Sequence, residues 1–126
     1  HGTFYLMVVN GDSKSPQYGK WESFVLSDRN RLQVLVPPKF GNGHLVLSEE
    51  AIFHYKQSTE YDRAGQFTIL WNDPRFGFWW PVKSPLVSRR DERGDGTRMP
   101  APGRGKDHRG RLAGRKGTNG RNQRRP

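Results

Sequence analysis

Every aromatic residue of this 126-residue chain, fifteen in all, lies at or before Trp80, so whatever core the chain builds must be built there. The residues that follow carry a different chemistry. From Glu92 to Pro126 there are eleven Lys and Arg against three Asp and Glu, a surplus of eight out of the chain's formal +10. Gly and Arg alternate through Gly103 to Arg115 with no apolar periodicity. Such a segment cannot bury enough surface to offset the entropy of ordering it. The chain therefore divides into a body, residues 1–91, and a Gly/Arg-rich basic tail, residues 92–126, that is expected to be disordered.

Several classes are excluded early. The sequence has no cysteine, which removes disulfide frameworks and cysteine-ligated metals and leaves the cytoplasm as the default compartment. No apolar run approaches the roughly 18 residues of a membrane span, and no signal peptide opens the chain, so a soluble protein without a membrane partner is expected. The chain begins at His1 and enters the apolar run Phe4 to Val9 almost at once. It is expected to start inside a domain, as a fragment would.

The body reads as strands divided by turn residues. Thr3 to Val9 is rich in β-branched and aromatic residues and stops at Asn10-Gly11-Asp12, where Asn and Gly tolerate positive φ. Further strands are expected at Ser23 to Leu26, Leu32 to Val36, His44 to Leu47, Ala51 to Gln57 and Phe67 to Trp71. Asp28-Arg29-Asn30, Pro37-Pro38, Gly41-Asn42-Gly43, the stretch from Asp62 to Gly65 and Asn72-Asp73-Pro74 separate them. Short strands at spacings of about 8–12 residues, without a helical repeat, indicate an all-β antiparallel sandwich or barrel.

In order along the body stand Ser15-Pro16-x-Tyr18-Gly19-x-Trp21, Val25-Leu26-Ser27-x-x-Asn30-x-x-Gln33, Val36-Pro37-Pro38-x-Phe40, Val46-Leu47-Ser48, Tyr55-Lys56, Trp71-Asn72-Asp73-Pro74, Trp80-Pro81 and Ser88-x-x-Asp91. Each piece alone is weak, but together they resemble the dTDP-4-dehydrorhamnose 3,5-epimerase family over residues 2 to 91. The resemblance implies a cupin-type jelly-roll barrel, here without its earlier strands, and usually a homodimer. It also implies an isomerase that inverts C3, C5 or both in a nucleotide-linked 4-keto-6-deoxy sugar. Neither metal nor organic cofactor is implied. A C–H beside a ketone is acidic because its anion spreads onto oxygen, so a base takes the proton from one face and an acid returns one to the other.

The residues that match the family's motifs carry its roles as expectations. Tyr55, in Phe53-x-Tyr55-Lys56, matches the tyrosine acid, and a phenol stays protonated at neutral pH. Asp91, in Ser88-x-x-Asp91, matches the carboxylate that orients the histidine base. That base sits in an Arg-Gly-x-His segment of the family, and none of His1, His44, His54 and His108 lies in such a segment. Phe40-Gly41-Asn42-Gly43-His44 departs from the common Phe-Ala-His-Gly-Phe. Asn42 thus stands at a substrate-lining histidine and His44 at an apolar position, which points toward relatives that act on other nucleotide-linked sugars, heptoses included. Asn42, His44, Lys56 and Tyr61 are the expected substrate-binding residues, Tyr61 as a stacking partner for the base. Trp80 is expected mainly to pack, and a metal at His44 would lack its companion ligands.

Two other classes compete. A noncatalytic cupin that binds a sugar would keep the same body. The basic tail could neutralise phosphates, yet it has no aromatic to stack on bases and no reading motif, so nucleic acid is not the expected partner. Its abrupt onset after Asp91 is also what a reading-frame slip in GC-rich DNA would produce.

Overall fold

The computed structural model describes residues 1–62 and 64–94. Their regular structure is almost entirely β: three strands, β1 (Thr3–Asn10), β2 (Trp21–Ser27) and β3 (Phe40–Val46), and one short helix, α1 (Arg89–Arg93). The sheet order is β2-β1-β3, with both pairings antiparallel. The expected basic tail lies outside the described residues beyond Gly94, and α1 runs across the expected boundary at residue 91.

Strand β1 is the middle of the sheet because its sequence allows burial on both faces. From Phe4 to Asn10 every residue is buried, as a near-continuous apolar run requires. Register sorts the side chains. Phe4, Leu6 and Val8 share one face with Leu26, Phe24 and Glu22 of β2 and with Val46, His44 and Asn42 of β3. On this even face Phe4, Leu6, Val8 and Leu26 form the core, and Phe24, Val34, Val36, Phe40 and Phe53 pack against it. Each fully buried side chain of this size contributes about 1.5–3 kcal/mol. Tyr5, Met7 and Val9 face the other way.

The odd face is covered by the segment from Trp71 to Trp80. Tyr5 meets Trp79 edge-on at 5.9 Å and Trp80 at 5.6 Å, and its hydroxyl donates to the Trp79 carbonyl. The Trp21 indole donates to the Phe76 carbonyl, and the Trp80 indole to that of Trp71. Both indole N–H groups thus find acceptors, which burial of a tryptophan demands.

Two sequence expectations differ from the structure. Gly41-Asn42-Gly43, read as a separator, is the first half of β3. A Cβ on Gly41 would lie 3.2 Å from Val9, and one on Gly43 would lie 3.2 Å from the Trp80 indole, so the glycines mark close approach and not a turn. Residues 32–36, 51–57 and 67–71 form no ladder among the described residues, although Val34, Val36 and Phe53 still reach the core. Other apolar residues of these segments, Leu32, Leu35, Ile52 and Phe67, stay exposed.

Candidate functional site

The expected site residues fall into three groups. Asn42 and His44 alternate with Gly41 and Gly43 along β3, and pairing with Val8 and Leu6 puts them on the even face. Tyr55 joins them through aromatic contacts. The His44 ring lies 4.6 Å from that of Phe53, Phe53 meets Phe4 edge-on at 5.1 Å, and Tyr55 stacks on Phe53 at 5.4 Å. The Tyr55 side chain is 62% exposed, so the phenol stands open above an apolar floor.

Asp91 belongs to a different environment. A cavity of about 760 Å³ opens mainly along the odd face, walled by Met7, Val9, Trp71, Phe78, Trp80 and Asp91, and it reaches Asn42 and His44 at the β3 side. Ser88 caps α1 by accepting the Asp91 N–H, and its hydroxyl donates to the Asp91 carboxylate at 2.6 Å. The Ser88-x-x-Asp91 motif is thus a local capping device that fixes the carboxylate's rotamer. Asn42, His44 and Asp91 line one cavity, and His44 connects it through Phe53 to Tyr55. Tyr55 and Asp91 themselves do not meet. Lys56 and Tyr61 are exposed and stand outside both groups.

Some cavity residues carried no motif signal. Arg90 points its guanidinium at Thr68 Oγ1 and Gln66 Oε1, both at 2.8 Å, which ties α1 to residues 66–68. A basic residue in a run of five charged ones looks like solvated surface, so this pairing was not legible. Trp80 packs over Gly43, in keeping with the packing role expected of it. No group of three or more His, Cys, Asp or Glu side chains converges as a metal site among the described residues. Nor is any helix there long and apolar enough to cross a membrane.

Comparison with known proteins agrees with the motif series. The family profile for dTDP-4-dehydrorhamnose 3,5-epimerase matches residues 1–98. The protein of that name from Shigella flexneri is 38% identical over 93 residues, covering 74% of this chain and 51% of that protein. Its namesake from Pseudomonas aeruginosa is 38% identical over 94 residues, covering 74% of this chain and 52% of the other. A Streptomyces niveus protein named dTDP-4-dehydrorhamnose 3-epimerase is 35% identical over 91 residues, covering 72% of this chain and 44% of its own length. The chain spans about half the length of the curated relatives it matches. On the strength of the profile match and these identities, the chain belongs to the dTDP-4-dehydrorhamnose 3,5-epimerase family.

Proposed function

We propose that this chain forms part of an epimerase that inverts C3, C5 or both in a nucleotide-linked 4-keto-6-deoxy sugar. The barrel is a cupin-type jelly roll, and the active protein is a homodimer. Tyr55 returns the proton. A base removes the hydrogen beside the ketone, the electron pair moves onto the ketone oxygen as an enolate, and Tyr55 then protonates the carbon from the opposite face. Asp91 orients the imidazole of that base, which belongs to the Arg-Gly-x-His segment of the family and not to this chain's matched residues. Asn42 donates its amide to the sugar or its ketone oxygen, which a neutral amide can do without carrying a proton. Lys56 and Tyr61 hold the nucleotide.

The observation that carries this reading is the run of ring contacts from His44 of β3, two residues along the strand from Asn42, through Phe53 to the exposed Tyr55, within a family named for the reaction. The test joins this chain to the family's Arg-Gly-x-His half and supplies the keto sugar in D2O. Deuterium should enter C3, C5 or both. Tyr55→Phe should still permit wash-in at a centre where the base acts alone, while the inverted product falls by roughly 100-fold or more, the range general acids contribute. An unchanged stereochemical outcome removes Tyr55 from the mechanism.

A further inference from the structure

The helix that carries Asp91 is too short to hold itself. It has five residues and buries none of them, and an isolated helix of fewer than about 12 residues is marginal in water. The Ser88 cap closes the first turn, but that bond stays within residues 88–91. What reaches further is Arg90, whose Nε donates to Thr68 Oγ1 and whose Nη1 donates to Gln66 Oε1, 22 and 24 residues away in sequence. Both acceptors are half-buried. Leu70 meets the other end of the helix, its Cδ2 3.4 Å from where a Cβ on Gly94 would stand. The segment that receives these contacts is itself seated on β3, since Ile69 Cδ1 lies 3.6 Å from the corresponding point on Gly41. Gly41, Gln66, Thr68, Ile69, Arg90 and Asp91 all line the one cavity, so a line of contacts runs from the strand to the carboxylate across its wall.

We infer that Arg90 is a positioning residue: by hooking α1 onto Gln66 and Thr68 it sets where the Asp91 carboxylate stands relative to the β3 wall of the cavity, which carries Asn42 and His44. The inference rests on the epimerase reading, in which Asp91 orients the imidazole of the base, and deepens it. Two bonds to two acceptors fix the plane of a guanidinium as well as its place, which a single bond would not. Ser88 and Arg90 then act on different degrees of freedom. The serine hydroxyl, donating to Asp91 Oδ2 at 2.6 Å, sets the rotamer of the carboxylate, and the arginine sets the position of the backbone that bears it. Misplacing a catalytic group by about 1 Å can cost on the order of 100-fold in rate. A tether with little weight in stability can therefore have a large one in turnover. An arginine that instead gripped the phosphates of the ligand would act on affinity.

The test uses the full chain joined to the family's Arg-Gly-x-His half and follows steady-state epimerisation of the keto sugar across pH. Arg90→Gln should lower kcat roughly tenfold, within the range that misplacement costs, and leave KM within about twofold. It should also move the acid limb of the kcat profile to lower pH. A carboxylate beside an imidazole raises the imidazole's pKa, so displacing Asp91 lets the base shed its proton at lower pH. Thr68→Val, which removes one acceptor, should act in the same direction. Combined with Arg90→Gln it should cost less than the two losses multiplied, because both break one tie. Arg90→Lys should recover part of the rate, and since α1 buries no residue the thermal midpoints should match wild type. An unchanged kcat in Arg90→Gln overturns the inference and leaves the epimerase reading standing. A loss carried by KM overturns it as well, since it makes Arg90 a ligand contact, and so does a fall in kcat with the pH limb unmoved. If the joined wild type turns over no keto sugar, the epimerase reading falls and takes the inference with it.

Discussion

Asp73 is buried in the turn that follows Trp71, and Arg75 closes a fork on it, with Nε reaching both carboxylate oxygens and Nη2 adding a further bond. The guanidinium holds the Asp73 carboxyl below the usual carboxylate range, against burial that pushes it up. A carboxyl depressed in the folded state stabilises the fold at pH values above its unfolded pKa, near 3.9. That contribution is lost as pH falls through the lower folded value. Asp73→Asn should therefore lower the melting temperature at pH 7 and flatten its fall between about pH 5 and pH 2, as thermal melts across that range would register. The sequence marked Asn72-Asp73-Pro74 as a turn, and the structure agrees. What it did not reveal was that Asp73 keeps an arginine two residues on, because adjacent charges on a turn resemble ordinary solvated surface. For Tyr55 and Asp91 the residue-level reading came from motif position alone. The surroundings of each, a phenylalanine stack and a serine cap, depend on segments that single motifs do not connect.

At the scale of elements, β1 was the most legible, since an apolar run with no polar alternation has few places to go except the middle of a sheet. Strand β3 was the least legible. Its glycines carry the same letters as a turn, and only the packing of Val9 and Trp80 against them shows why they are small. Gly43→Val should push the Trp80 indole off the sheet and destabilise the fold by about 1–3 kcal/mol, the usual cost of overpacking. Denaturant unfolding followed by tryptophan fluorescence would measure it. A variant as stable as wild type would mean that the indole has room to shift and that Gly43 serves something other than packing. The segments 32–36, 51–57 and 67–71 were read as strands from composition. Val34, Val36 and Phe53 do pack on the core while Leu35 and Ile52 stay exposed, but strand pairing needs a hydrogen-bonding neighbour, and side-chain pattern cannot supply one.

At the scale of the whole molecule, the division between an aromatic-rich body and a basic tail rests on charge and aromatic placement alone. Residues 95–126 carry ten Lys and Arg against two Asp and Glu. Deleting them should abolish salt-sensitive retention on a nucleic-acid column, because released counterions drive such binding, and should leave the circular dichroism of the body unchanged. Retention that survives the deletion would assign the interaction to the body. The proposed mechanism requires Tyr55, linked through Phe53 to His44, and Asp91, in the cavity that His44 also lines, to flank one sugar. The most direct measurement is a crystal structure of this chain, joined to the family's Arg-Gly-x-His half, with a thymidine-diphosphate sugar bound. The account predicts the sugar ring between the Tyr55 hydroxyl and a histidine held by Asp91, with Asn42 in hydrogen-bond reach of the ring. A sugar bound away from Tyr55, with Asp91 still turned to Ser88 and no histidine beside it, would contradict it.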